Sequence, residues 1–164
     1  MAPFTLRAAT NTDFDRIIML NAAEVHQTSA MDTNRLRELS RVSSHFTVAE
    51  SDGIIAAFLL AMREGADYPN ENFAWFAARY ETFVYVDRIV VGAEYAGQRI
   101  GTLLYENLFA SARAEGVRTI TCEYNIEPPN PASRRFHDRF GFREVGSQWV
   151  DGGRKRVSLQ VADL

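Results

Sequence analysis

The sequence contains one cysteine, Cys122, so no disulfide can form within a single chain. Its longest hydrophobic run, residues 54–62, is too short to cross a bilayer as a helix. The N-terminal residues lack the basic and then apolar segments of a signal peptide. The net charge of −3 at pH 7 provides no overall basic field that would attract nucleic acid. We therefore expect a cytoplasmic protein that binds neither membranes nor nucleic acid.

The chain does have an ordinary globular composition, with 46% apolar and 24% charged residues over 164 positions. This length suits one domain with one hydrophobic core. Apolar patterns and turn residues predict strands at residues 4–8, 45–50, 54–62, 82–91, 117–125, 142–150 and 156–161, with helices between several of them. The strand, helix and strand across residues 82–125 predict two adjacent, parallel strands. Residues 63–81 are rich in aromatic side chains and form either a functional lid or a short helix that packs its rings on the sheet.

A loop with two glycines, Gly97-Gln98-Arg99-Ile100-Gly101, follows the strand at residues 82–91 and leads into a helix. A helix N-terminus presents amides without internal partners, and its dipole favours negative charge. Gly97 and Gly101 remove side chains where a phosphate would approach, and Arg99 adds positive charge. Alternatively, the glycines only allow a tight turn. The loop lacks the third glycine of a Rossmann fingerprint and the Gly-Lys-Ser/Thr of a Walker loop.

Two motifs and the order of elements resemble the GNAT superfamily of acyl-CoA-dependent N-acetyltransferases. Residues 96–101 are similar to the family's pyrophosphate loop, Q/R-x-x-G-x-G/A, although Ala96 and Arg99 depart from it. The segment NPASRRFHDRFGF, residues 130–142, resembles the family's N-x-x-A-x-x-F-Y-E-K-x-G-F. The resemblance implies an α/β fold in one domain, residues 1–164, with a twisted mixed sheet of six or seven strands and about four flanking helices.

The resemblance also implies acetyl-CoA, released as coenzyme A, as the cosubstrate, and we expect no metal site. The pyrophosphate would bind at the glycine loop, and the pantetheine would pair with the main chain of the preceding strand. The implied cofactor-binding residues are Ile89, Val90, Val91, Gly97, Gln98, Arg99, Ile100, Gly101, Thr102, Asn130 and Ser133.

The implied reaction is direct attack of a primary amine on the thioester, which requires a neutral amine and a proton for the departing thiolate. His137 aligns with the family's tyrosine proton donor, and an imidazole with a pKa of about 6.5 can protonate a thiolate. Alternatively, His137 is a packing residue. Asp87 and Glu123 are the candidate general bases, unless they only form ion pairs, as Asp87 could with Arg88. The reaction could also proceed through water without a dedicated base.

Asn21 and Glu24 interrupt the apolar stripe of the first helix, and the resemblance places the first two helices beside the acceptor. With Trp75 from the aromatic segment, they are the predicted substrate-binding residues. A mixed aromatic and acidic pocket favours a small amine, and exposed aromatic side chains near Trp75 would suit a homodimer. Two other classes stay open: a non-catalytic acyl-CoA-binding or sensing module, and a dinucleotide-dependent oxidoreductase.

Overall fold

The computed structural model describes residues 3–25 and 28–164, which form seven strands and five α-helices. The helices are α1 (Phe14–Ala23), α2 (Thr33–Val42), α3 (Glu71–Ala77), α4 (Ile100–Ala114) and α5 (Pro131–Asp138). The strands are β1 (Thr5–Ala8), β2 (His45–Ser51), β3 (Ile54–Arg63), β4 (Val84–Val91), β5 (Thr119–Glu127), β6 (Arg143–Val150) and β7 (Lys155–Asp163).

The strands form one mixed sheet in the order β1-β2-β3-β4-β5-β7-β6. Strands β4 and β5 are parallel, with Val84 opposite Ile120 and Tyr85 opposite Thr121. The pairs β1–β2, β2–β3, β5–β7 and β6–β7 are antiparallel. The predicted sheet of six or seven mostly antiparallel strands is therefore confirmed, as is the parallel central pair. The described residues form five α-helices rather than about four.

The chain divides into two compact units, and the first comprises Met1–Met62 and Val86–Ser111. Strand β3 is central to this unit, because every side chain from Ile55 to Met62 is buried. Asp52 and Gly53 have φ of 52° and 75°, the left-handed backbone that a tight β2–β3 hairpin requires. Helix α2 begins after Asp32, whose carboxylate accepts a hydrogen bond from the Arg35 amide at 2.7 Å.

The second unit comprises Arg63–Tyr85 and Ala112–Leu164. Its aromatic segment forms α3, which Asn70 caps by accepting hydrogen bonds from the Asn72 and Phe73 amides. Phe73 and Phe76 are buried, so the segment is the short, ring-packing helix that was one of its two interpretations. Helix α5 likewise begins after a capping asparagine, Asn130.

Candidate active site

In the first unit, several consecutive main-chain amides at the start of α4 have no hydrogen-bond acceptor among the described residues. The first hydrogen bond into the helix runs from the Leu103 amide to the Arg99 carbonyl at 3.1 Å. The amides of Ile100, Gly101 and Thr102 find no acceptor among the residues that the structure describes. These donors and the helix dipole together favour an anion at this end of α4.

The loop before α4 has an unusual backbone at Arg99, whose φ is +61°. This left-handed conformation suits glycine, which is the residue that the family's loop usually has at this position. Gly97 also has a positive φ of 79°, and no atom lies within 4 Å of where its Cβ would be. The Arg99 side chain is exposed and forms no ion pair within the described part of the chain. The loop thus has at Arg99 a backbone that glycine favours, while the arginine adds a cation next to the amides of residues 100–102.

Asp87, one of the two candidate bases, is held in a buried ion pair. Its Oδ2 accepts a hydrogen bond from Arg88 Nε at 2.7 Å, and both side chains are only 4% exposed. The same guanidinium donates to Asn21 Oδ1 at 3.0 Å, and to the carbonyl and hydroxyl of Ser29 at 3.1 and 3.0 Å. Ion pairing with Arg88, the structural alternative for Asp87, is therefore present.

Asn21 is part of this buried network, and its predicted contact with the acceptor stays a prediction. It is 1% exposed, and its Nδ2 donates to the Ser29 carbonyl at 2.9 Å. Its position on the inner face of α1 thus serves to fix the segment before α2. Glu24 is the C-cap of α1, is half-buried, and forms no ion pair within the described residues. Of these two side chains, the Glu24 carboxylate is more available to a ligand than the buried Asn21 amide.

Strand β4 ends at Val91, and the next amide, that of Gly92, donates to the Ala56 carbonyl of β3 at 2.8 Å. Val90 is 2% exposed, whereas Ile89 and Val91 are half-buried. The alternation fits a strand whose Val90 faces the core. Pairing of residues 89–91 with pantetheine stays a prediction.

In the second unit, His137 is 5% exposed and its protonation is defined by its hydrogen bond. Nδ1 lies 2.7 Å from the Ser133 carbonyl, which can only accept, so Nδ1 carries a proton. Burial lowers the pKa of His137 below its ordinary 6.5. The ring packs against Tyr124 and Phe142, with centroids at 5.6 and 5.2 Å. At neutral pH the resting imidazole is therefore mostly neutral, with its second nitrogen, Nε2, unprotonated.

Asn130 and Ser133 have local roles around His137. Asn130 Oδ1 accepts from the Ser133 amide at 3.3 Å and so caps α5, while the Ser133 hydroxyl lies 3.2 Å from His137 Nδ1. Their predicted contact with the cofactor stays a prediction. Together they fix the orientation of the His137 ring.

Glu123, the other candidate base, has a different environment from Asp87. Its side chain is half-buried, and Oε1 accepts a hydrogen bond from the hydroxyl of Tyr85 at 2.8 Å. Tyr85 was absent from the sequence-based candidates. The register that pairs it with Thr121 puts it on the same sheet face as Glu123, which is the signal that would have revealed it.

Trp75 of α3 packs within its own unit. The Arg79 guanidinium lies 3.8 Å from the centre of its ring, and a Cβ on Gly146 would come within 2.6 Å of the indole. Its half-buried ring therefore has a packing role, and its contact with an acceptor stays a prediction.

Over residues 3–25 and 28–164, no cluster of His, Cys, Asp and Glu side chains could hold a metal ion. Within the same residues, no helix has both the length and the apolar character to span a membrane.

Comparison with protein families gives a match between residues 10–142 and the model of the Acetyltransferase (GNAT) family. The chain belongs to this family. Acetyl-CoA is the cosubstrate of this family, and its contact with the amides at the start of α4 stays a prediction. The resemblance, the fold and the cofactor predicted from the sequence are confirmed.

Individual relatives of this GNAT chain agree. A phosphinothricin N-acetyltransferase from Streptomyces coelicolor is 44% identical over 80 residues, which is 49% of this chain and 42% of the relative's length. Ard1 from Thermoplasma volcanium superposes with a TM-score of 0.80 at 13% identity, covering 98% of this chain and 97% of that one. The yncA protein of Salmonella typhimurium, solved with acetyl-CoA, superposes with a TM-score of 0.72 at 22% identity. The match covers 99% of this chain and 95% of the yncA chain. At these identities the two structures support the fold alone.

Proposed function

We propose that this GNAT chain is a cytoplasmic enzyme that transfers the acetyl group of acetyl-CoA to the primary amine of a small, amino-acid-like acceptor, by direct attack in a ternary complex. The observation that carries the proposal is the run of unused amides at Ile100, Gly101 and Thr102, next to the exposed cation of Arg99. Acetyl-CoA supplies an activated acyl group and an anionic pyrophosphate. The relative named as a phosphinothricin N-acetyltransferase supports an amino-acid-like acceptor.

The loop has the chemistry that a pyrophosphate requires. Backbone amides at a helix N-terminus bind phosphate oxygens without a large side-chain entropy cost, and the helix dipole adds to the attraction. Arg99 donates in a planar fork that suits two phosphate oxygens. Gly97 leaves the approach open, since a Cβ there would meet no other atom and the backbone has the positive φ that glycine tolerates.

We assign the general base to Glu123 in preference to Asp87. A base must accept a proton, and Asp87 is already neutralised by Arg88 in a pair that is 4% exposed on both sides. Protonation of Asp87 would leave a buried guanidinium without its counter-ion, which is costly. The Glu123 side chain is half-buried, and its Oε1 accepts a hydrogen bond from the neutral hydroxyl of Tyr85.

We assign delivery of the proton to the departing thiolate to His137. Since the Ser133 carbonyl fixes one proton on Nδ1, the transferable proton is the one at Nε2 of the cationic ring. Burial lowers the pKa of His137, so only a minor fraction of the ring is cationic at neutral pH. The cationic form of His137 is therefore a stronger acid than an ordinary imidazolium, but only a small fraction of the protein carries it at neutral pH. Its rate contribution falls as the pH rises above the lowered pKa.

The burial of His137 favours a second candidate function, a non-catalytic acyl-CoA-binding or sensing module. A buried, mostly neutral His137 in place of the family's tyrosine is what a chain that binds the cosubstrate without turnover would also have. A homodimer stays a prediction in either case.

The experiment mixes the purified chain with acetyl-CoA and a panel of small primary amines that includes L-phosphinothricin. Thiol release measures turnover, mass spectrometry identifies the acetylated product, and calorimetry measures acetyl-CoA binding in parallel. We expect micromolar to millimolar binding and amine-dependent thiol release. Binding without thiol release for any amine would favour the sensing module, and no binding would refute both functions.

A further inference from the structure

Tyr85 is fully buried, and its hydroxyl forms a hydrogen bond with the half-buried carboxylate of Glu123. The ring is 0% exposed, and its hydroxyl donates to Glu123 Oε1 at 2.8 Å. The two residues belong to neighbouring parallel strands, β4 and β5. Tyr85 lies opposite Thr121, so Glu123, two residues further along β5, is on the same face of the sheet.

The ring of Tyr85 is enclosed by other aromatic side chains of the second unit. Its centroid lies 5.6 Å from that of Phe73, 6.0 Å from that of Phe76 and 6.4 Å from that of Tyr68. An enclosed ring cannot change rotamer without displacing its neighbours. The hydroxyl therefore has a fixed position relative to the sheet.

Helix α3, which carries Phe73 and Phe76, is itself held in place by an N-terminal cap and by contacts with β6. Asn70 caps it, and Asn72 Oδ1 accepts from Gln148 Nε2 of β6 at 2.7 Å. The Trp75 indole packs against Gly146 on the same strand. A continuous set of contacts thus runs from β6 through α3 to the ring of Tyr85, which ends in the hydroxyl on Glu123.

We infer that Tyr85 is a positioning residue for the reaction, which holds the Glu123 carboxylate in one rotamer by its buried hydroxyl. A glutamate on a strand can otherwise adopt several side-chain rotamers, and only some direct the second oxygen towards a substrate. A hydrogen bond donated to a carboxylate is of the stronger, charge-assisted kind. Displacement of a reacting group by about 1 Å can cost on the order of 10²-fold in rate.

This inference rests on the proposed function, in which Glu123 is the general base, and the experiment separates the two. The variants are Tyr85→Phe, which removes the hydroxyl and keeps the ring, Glu123→Gln, which removes the base, and the double variant. Glu123→Asp retains a carboxylate but shortens it by one methylene, so that it loses its reach to Tyr85. Tyr68→Phe is the matched control, because it removes a hydroxyl from a buried ring of the same cluster.

Turnover is measured as thiol release from acetyl-CoA, with L-phosphinothricin and with water as parallel acceptors, and is divided by the folded fraction from circular dichroism. We expect Tyr85→Phe and Glu123→Asp to lower kcat roughly tenfold, with the KM for acetyl-CoA changed by less than about twofold. Tyr68→Phe should keep the wild-type kcat. In the Glu123→Gln background, Tyr85→Phe should cause no further loss, since the hydroxyl acts only through the carboxylate.

Each other outcome overturns a defined part of the argument. Full activity of Tyr85→Phe alongside an impaired Glu123→Gln refutes the positioning role and leaves the base intact. Additive losses in the double variant refute it as well, since a residue that supports only the fold gives that result. Full activity of Glu123→Gln, or no thiol release from the wild-type chain with either acceptor, refutes the proposed function and this inference with it.

Discussion

Arg99→Gly is expected to stabilise the chain while it weakens the binding of acetyl-CoA. Arg99 has a φ of +61°, and a left-handed backbone costs a residue with a Cβ about 1–2 kcal/mol. Glycine removes that cost but makes the unfolded chain freer, which opposes the gain by about 0.4–1 kcal/mol. The net stabilisation is therefore about 0.5–1 kcal/mol, or a rise of roughly 1–4 °C in Tm for a chain of this size.

The same substitution removes a cation from the proposed phosphate site. A hydrogen bond between an exposed guanidinium and a phosphate contributes about 1–1.5 kcal/mol, which corresponds to a roughly fivefold to tenfold higher Kd for acetyl-CoA. The affinity should also become less sensitive to salt, because one charged contact has been lost. Differential scanning fluorimetry and calorimetry at two salt concentrations measure both effects on one preparation.

The control is Asp52→Gly, since Asp52 also has a positive φ, of 52°, but lies in the β2–β3 turn. It should raise Tm slightly and leave the Kd for acetyl-CoA unchanged. A lower Tm for Arg99→Gly would show that the arginine side chain stabilises the loop by more than its backbone strain. An unchanged Kd would remove Arg99 from the phosphate site.

Substitutions at three further positions test the rest of the site. Gly101→Asp puts a negative charge at the start of α4 and should weaken CoA binding roughly tenfold or more with the fold intact; equal affinity by calorimetry would locate the phosphates elsewhere. Arg88→Leu leaves Asp87 buried without a cation and should cost about 3–5 kcal/mol in denaturant unfolding, whereas a wild-type midpoint would argue against a buried pair. His137→Ala should lower kcat roughly 10²-fold, and His137→Tyr should restore much of it. Because the acid must be protonated, wild-type kcat should fall as the pH rises above the lowered pKa of His137, and full activity of His137→Ala would end its assignment as the acid.

The sheet was predictable because its signals are local. Strand β3 is an apolar run closed by Ser51-Asp52-Gly53, and the crossover helix between β4 and β5 has an apolar stripe that only a right-handed, parallel connection buries well. The glycine loop was predictable for a related reason. Its glycine pattern predicts a backbone with positive φ. Arg99 has a positive φ although the motif usually has glycine at this position.

Arg88 was predictable as the partner of Asp87 because it is the next residue, but the partners of Asn21 and Glu123 were not, since they are distant in sequence. Arg88 meets Asn21 and Ser29 across separations of 67 and 59 residues, so nothing near Asn21 indicates that its polar side chain satisfies a buried cation. Tyr85 and Glu123 are 38 residues apart, and their contact depends on the register of two strands. Residue type and periodicity identify a sheet face, but register decides which side chains meet on it.

The hydrogen bonds around Ser29 determine how the segment before α2 can move. Release of Ser29 would withdraw acceptors from two N–H groups of Arg88 and one of Asn21 at the same time. At about 1–3 kcal/mol for each buried donor left unsatisfied, the released form is a rare excursion. An acceptor that contacts it meets a preformed surface, so discrimination between amines there depends on fit to a fixed shape rather than on closure of a lid.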